Sequence, residues 1–141
     1  MNEDVLFAIR ALFNTDAQLV QQGRKLFFGN DDIQGDQELP YVSCQCRETQ
    51  SDTTFGQITL EAYDVEFNVF TQQSEPARCQ RIMSLLRDRF THATLPSGEF
   101  DTVGVIHTLN GDGPNVEDGV YEGLVVFEVM VQLSMTIPPG V

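Results

Sequence analysis

The chain has few basic residues, and its last third has none. Of 141 residues, eight are Lys or Arg and 21 are Asp or Glu, so the formal net charge is −13 at pH 7. Every Lys and Arg lies at or before Arg89, whereas Glu99, Asp101, Glu122 and Glu128 are among the acidic residues after it. Such a surface repels the phosphates of nucleic acids and anionic lipids. Sequence-specific nucleic-acid binding and attachment to a membrane are therefore not expected.

The sequence also lacks the segments that direct a chain into or across a membrane. No apolar run reaches the roughly 18 residues that a membrane helix needs. The first residues are acidic, whereas a secretory signal begins with basic residues followed by an apolar run. We therefore expect the chain to stay in the cytoplasm of the cell that makes it.

Cys and His, the usual ligands of zinc, are scarce and have no paired spacing. The candidates are Cys44, Cys46, Cys79, His92 and His107. Zinc sites commonly use a Cys-x-x-Cys pair in a turn together with a second ligand pair elsewhere. An odd number of cysteines fits free thiols in a reducing compartment better than a disulfide framework. We expect buried thiols, no metal and no cofactor.

Motifs of catalysis are likewise missing. The sequence contains no Gly-x-Ser-x-Gly, P-loop or dinucleotide fingerprint, and neither histidine lies in a nucleophile motif. The paired carboxylates Asp31-Asp32 and Glu117-Asp118 lie in glycine-containing loops, where solvated carboxylates keep ordinary pKa values. We therefore predict no catalytic residues and a protein that is not an enzyme.

Helices are predicted in three places. Apolar residues at helical spacing predict a helix over residues 3–13, and a short one follows over 16–21 with Thr15 as a possible cap and Gly23 as the stop. The best pattern places Cys79, Ile82 and other apolar residues on one stripe of a helix that starts after Ser74 as N-cap and ends near residue 90.

Strands are predicted at residues 26–28, 41–47, 57–71, 100–109 and 120–135. The segments 29–38, 48–54 and 110–119 are polar or rich in turn residues and are predicted as loops. The last strand would span roughly 50 Å, more than a small core needs, so part of it is expected to project or to lie against another subunit. The pattern predicts one α+β domain over residues 1–141, with an antiparallel or mixed sheet, helices packed on one face and a flexible tail at 137–141.

The order of these segments resembles the tail terminator (tail completion) proteins of long-tailed bacteriophages. The resemblance covers most of the chain and lies in four stretches. They are the helix end and second helix at 12–19 (LFNTDAQL), the entry at 39–42 (LPYV), the strand at 63–70 (YDVEFNVF) leading into the helix with Ala77, Ile82 and Leu86, and the final strand at 119–127 (GVYEGLVVF). The chain is more acidic in its last third than such proteins often are.

The resemblance implies a structural virion subunit. Such proteins form a ring, commonly a hexamer, at the head-proximal end of the tail. The ring ends growth of the tail tube and presents a surface to the head-tail connector, and double-stranded DNA passes through its lumen. The implied partners are thus copies of the same chain, the tail tube protein and the connector or neck protein, in the virion rather than at a membrane.

Two groups of residues are candidates for this role. Asp112, Glu117 and Asp118 would line or rim the lumen, because carboxylates repel passing DNA and let it slide. Leu124, Val126 and Met130 would form a subunit interface, because they make the second face of the last strand half apolar.

Other interpretations fit the same sequence. One is another neck or head-completion protein, or a tail-tube subunit. Another is a small-ligand binding module, which requires a pocket with convergent polar groups. The last is a non-enzymatic adaptor domain.

Overall fold

The computed structural model describes residues 2–23, 25–28, 38–54, 58–115 and 119–134. The helices are α1 (Asn2–Thr15), α2 (Ala17–Gly23) and α3 (Pro76–Phe90). The strands are β1 (Leu26–Phe28), β2 (Tyr41–Thr54), β3 (Ile58–Gln72), β4 (Asp101–Asn115) and β5 (Val120–Ser134).

The five strands form one mixed sheet in the order β1-β2-β3-β5-β4. β1 runs parallel to β2 over three residue pairs, and every other pairing is antiparallel. β4 is the edge strand on one side and the short β1 lies on the other. The α+β class and the mixed sheet predicted from the sequence are thus confirmed.

One face of the sheet carries the core. Strand residues that alternate along β3 and β5, such as Val65, Phe67, Phe127 and Val129, are fully or almost fully buried and belong to one cluster with apolar residues of all three helices. The rings of Phe67, Phe90 and Phe127 lie 5.0 to 6.0 Å apart between their centroids, in tilted and edge-on arrangements that aromatic pairs favour. The helices therefore pack on a single face, as predicted.

The helix starts differ from the predictions. Asp16, not Thr15, caps α2, because its Oδ1 accepts hydrogen bonds from the backbone N–H groups of Gln18 (3.0 Å) and Leu19 (3.1 Å). The Thr15 hydroxyl instead donates to the Leu12 carbonyl in α1. At α3 the cap position is Glu75 rather than Ser74, and its side chain makes no capping hydrogen bond.

Two segments predicted as loops are strands. Residues 48–54 continue β2 past a bulge near residue 49, paired with β3. Residues 110–115, which contain the turn-like sequence NGDGPN, continue β4 in register with β5. The long neighbouring strand supplies the backbone hydrogen bonds in both cases, and this outweighs the weak strand propensity of Gly, Asn and Asp.

The end of the sheet formed by β2 and β3 extends beyond the helices. The side chains at 47–52 are all exposed, although they point alternately to both faces of β2. We call residues 47–54 and 58–61 the arm. The β2 part of the arm is polar, which fits the exposure of its side chains. β5 pairs with β3 over this whole length, with Ser134 opposite Ile58, so β5 extends as far as the arm does.

A search of the described helices for one long and apolar enough to cross a bilayer found none.

Candidate subunit interface

The helix-free face of the sheet has an apolar region beside β4. It consists of Ile106, Leu109, Leu124, Val126 and Met130, which we call the edge patch. Leu109 lies opposite Val126, whereas Leu124 and Met130 lie opposite Gly111 and Gly104. Leu124 and Met130 are only half-buried, because the glycines opposite them have no side chain to cover them. The three interface candidates from the sequence therefore share one surface, although Val126 itself is only 9% exposed.

Sequence reasoning missed the two β4 members of this patch. Ile106 and Leu109 are 54% and 57% exposed, among the highest values for large apolar residues in the described chain. Register shifts between Thr102 and Gly104 and between His107 and Leu109 interrupt the alternation of β4. A bulge changes which side chains face the core, so simple alternation could not assign these two residues to the open face.

Beside the edge patch, the helix-free face carries carboxylates along β3 and β5, and the stacked rings of Tyr41 and Phe70 lie farther along it. These carboxylates are Asp64, Glu66, Glu122 and Glu128. Asp64 lies directly opposite Glu128, an unfavourable pairing of like charges. The Arg47 guanidinium reaches Asp64 at 3.3 Å, but Arg47 is largely exposed, so this pair contributes little stability. The open face thus carries the edge patch on β4 and β5 and carboxylates on β3 and β5, with Glu128 between Val126 and Met130 of the patch.

Asp112 lies on the helix side of β4, in a strand rather than in a loop. Its Oδ2 accepts hydrogen bonds from the Tyr121 hydroxyl (2.5 Å) and from Gln80 Nε2 of α3 (3.1 Å). These bonds lower the pKa of the Asp112 carboxyl below its ordinary value, because they stabilise the charged form. The other two lumen candidates, Glu117 and Asp118, lie outside the described residues.

A small polar cleft separates α3 from β4 near Asp112. Its cavity is about 140 Å³, and its lining includes Ser84, Arg87, His107 and Asn110. Ligand pockets usually measure about 300 to 1,000 Å³, so the cleft is too small for a typical metabolite. The His107 Nε2 atom is buried without a hydrogen-bond partner in the described part of the protein, and its ring packs edge-on against Phe127.

The three cysteines are free thiols on the helix side of the sheet. Burial raises the pKa of Cys44, and burial followed by the nearby Asp64 charge raises that of Cys46 to about 12. Burial, with a smaller effect of Asp112, raises the pKa of Cys79 to about 11. Thiols held protonated are poor nucleophiles and metal ligands. Within the described ranges, no three His, Cys, Asp or Glu side chains are grouped to hold a metal.

Comparison with known proteins finds similarity only at the level of structure. No protein-family model and no curated protein matches the sequence. Among solved structures, a chain from the virion of a native gene transfer agent particle superposes with a TM-score of 0.74 at 17% identity, over 88% of this chain and 91% of that one. A second solved chain, of unstated function, matches with a TM-score of 0.53 at 14% identity, over 94% and 97%.

These matches establish the fold. At such identities the side chains of the surfaces have diverged, so the matches do not carry over residue roles. The overlap includes almost the whole of the gene transfer agent chain, and this protein is therefore similar in size as well as in architecture to a component of a virion particle.

Proposed function

We propose that this protein is a structural subunit of a phage-like virion, of the tail terminator type, that forms a ring at the head-proximal end of the tail. The fold shared with a chain of the gene transfer agent virion is the observation that supports it most. The sequence resemblance to tail terminators supports the same role from independent features, namely the order and spacing of short segments along the chain. The ring, expected to be a hexamer, ends tube growth and joins the tail to the connector.

The edge patch supports assembly with other copies. A ring requires two different complementary surfaces on each subunit, so that every copy contacts the next in the same way. Leu124, Val126 and Met130, joined by Ile106 and Leu109, place exposed apolar surface at the margin of the sheet. Apolar surface of this kind on a highly charged chain marks a site of association.

Charge opposes ring formation between free copies. Each carries −13, and like charges at close range repel unless counter-ions screen them. We expect assembly to be promoted by salt, by divalent cations or by the end of the growing tail. The same charge suits a lumen through which DNA slides without being held.

Electron microscopy and native mass measurement at high protein concentration, with and without magnesium, test the ring. Closed rings with a central hole near the roughly 20 Å width of duplex DNA are the expected result. Indefinite stacked tubes would instead identify a tail-tube subunit, because tube proteins stack in many copies.

A charge reversal tests the lumen residues. Replacing Asp112, Glu117 and Asp118 with Lys should slow DNA ejection from assembled particles, because lysines attract the phosphates. The control carries the same charge change at Glu3, Asp88 and Glu99, which are exposed and lie on other elements. Equal ejection rates in the two variants would refute the assignment of these three carboxylates to the channel.

A further inference from the structure

The free edge of β4 carries no charge over most of its length. Residues 102–111 contain no Asp, Glu, Lys or Arg, although the chain as a whole is strongly acidic. Val103, Ile106 and Leu109 within this stretch are each more than half exposed. Exposed sheet edges are usually protected against pairing by charged side chains or proline. Residues 102–111, which we call the uncharged edge, lack charges and proline, and the bulges near 103 and 108 leave regular segments that can accept another strand.

The sheet has a second unpaired margin on its opposite side. β1 pairs with only three residues of β2, Val42 to Cys44. Residues 45–54 of β2 therefore have no strand on their outer side in the described part of the chain, and most of them belong to the arm. This stretch equals the uncharged edge in length, and its side chains from 47 to 52 are exposed.

The directions of the strands allow these two margins to meet in a ring. β2, β3, β5 and β4 are successively antiparallel, so β4 runs opposite to β2. Rotation about an axis roughly along the strands preserves the direction of each strand. In a ring built by that rotation, β4 of one copy meets β2 of the next in antiparallel orientation, in which strands readily pair.

We infer that the uncharged edge of β4 pairs with residues 45–54 of β2 in the neighbouring copy, so that the sheets of successive subunits join edge to edge. This rests on the proposed ring and identifies the contact that builds it. The bulges near 103 and 108 leave residues 104–107 and 109–115 as regular segments for the pairing. Backbone hydrogen bonds supply the attraction, and the edge patch contacts the arm of the partner.

Electrostatics favours this pair of margins over others. The free stretch of β2 carries Arg47, Glu48 and Asp52. A partner strand with its own carboxylates would add like-charge repulsion at close range, whereas the uncharged edge adds none. Two strongly acidic copies can thus approach here without like charges from residues 102–111.

Photo-crosslinking tests the contact directly. A benzoylphenylalanine replaces Leu109, and mixed ¹⁴N- and ¹⁵N-labelled protein separates links between copies from links within one. Within a copy, β3 and β5 lie between β4 and β2, a separation of roughly 14 Å that the probe does not span. We expect links between copies that map to residues 45–54. Links to residues 102–111 of another copy would instead indicate a two-fold β4–β4 dimer and overturn the inference.

Lysines on β4 test its contribution to assembly. The double variant Ile106→Lys, Leu109→Lys should lower the association constant by about tenfold or more, because charges on an edge strand oppose pairing. The control is Phe7→Lys, Val20→Lys, which adds the same charge at exposed apolar positions of α1 and α2, 57% and 39% exposed. Equal effects of the two pairs would refute a specific role of β4.

The outcomes separate the inference from the proposed function. Closed rings whose crosslinks map outside residues 45–54 would overturn the strand pairing and leave the ring function standing. Crosslinks at 45–54 within stacked tubes would support the pairing and refute the terminator role. A wild-type chain that is monomeric at every concentration, with and without magnesium, would overturn the pairing.

Discussion

The two faces of the sheet differ in burial and in residue composition. On the helix-covered face, Val65, Phe67, Phe127 and Val129 are at most 1% exposed and pack into one core with the helices. On the helix-free face, the same two strands carry carboxylates and half-buried apolar residues side by side, including Glu128 beside the edge patch. The covered face is explained by contacts within one subunit. The open face carries opposed like charges and exposed aliphatic side chains that no contact within the described subunit explains, and our proposal assigns this face to assembly.

This contrast separates stability from assembly. Substitutions on the covered face should change the free energy of unfolding, because they remove or crowd contacts inside the core. Substitutions of exposed residues on the open face should leave the free energy of unfolding nearly unchanged, because shortening an exposed side chain removes few contacts. A variant of the open face that unfolds the monomer would contradict the distinction.

The largest difference is expected for aromatic truncation. Phe127→Ala should cost about 3–5 kcal/mol in the free energy of unfolding, because the ring is fully buried against Phe67 and Phe90. Ile106→Ala on the open face should cost within about 0.5 kcal/mol. Urea unfolding of both variants measures the difference, and similar losses would remove the contrast between the faces.

Substitution of two strand glycines by valine should change stability by smaller amounts, one on each face of the sheet. A Cβ at Gly123 would lie 2.5 Å from Met83 Sδ and 2.8 Å from Cys79 Sγ, so Gly123→Val should destabilise by about 1–3 kcal/mol through overpacking. At Gly104 no heavy atom lies within 4 Å of that position, so Gly104→Val should be nearly neutral. Thermal unfolding of the two variants should rank them in this order. A larger loss for Gly104→Val would be inconsistent with an open second face.

The buried thiols predict a loss of stability in alkali. The folded-state pKa values of Cys79 and Cys46 are raised to about 11 and 12 from an ordinary value of about 9. The folded chain thus holds these protons more tightly than the unfolded chain does. The resulting stability is present below about pH 9 and is lost as the pH rises through the folded-state values.

The double variant Cys46→Ser, Cys79→Ser isolates this contribution, because serine does not titrate in this range. Urea unfolding at pH 8 and at about pH 10.5 should show a smaller fall in stability for the variant than for the wild type. The comparison uses the change in the free energy of unfolding between the two pH values. A loss of stability that the substitutions cause equally at both pH values therefore cancels. An unchanged difference would mean that these thiols do not couple to folding.

The smallest expected effect is on a single carboxyl. Tyr121→Phe removes the first of the two hydrogen bonds that lower the pKa of Asp112, so this pKa should rise toward its usual value. Carboxyl NMR titration of the wild type and of the variant measures it. An unaltered Asp112 titration would mean that the Tyr121 hydroxyl does not bind there in solution.

The sequence predicted the elements in which apolar residues recur at regular spacing. Alternation at 63–69 placed the buried side of β3, and the apolar stripe containing Cys79 and Ile82 placed α3, because each pattern records one side facing a core. It did not predict the ends of β2 and β4. Polar residues at 48–54 and glycines at 110–113 have low strand propensity, and only pairing with β3 and β5 holds them extended.

The sequence predicted part of the edge patch, and the role of this patch as a subunit interface stays a prediction. Leu124, Val126 and Met130 were identified because they break the polar side of an alternating strand. Their neighbours Ile106 and Leu109 were not identified. Two bulges change which side chains of β4 point to the open face, and no local sequence pattern marks a bulge. The placement of Asp112, Glu117 and Asp118 in the lumen stays a prediction.

By itself, the sequence determined the charge, the class of fold, the helix-covered side of the long strands and the absence of recognisable catalytic motifs. These follow from composition and from periods of two and 3.6 residues, which are local properties. Only the tertiary structure decided which strands lie at the edges, which apolar residues remain exposed there and that Asp112 faces the helices. Those features depend on the order of strands in the sheet, and that order is set by contacts between residues far apart in the chain.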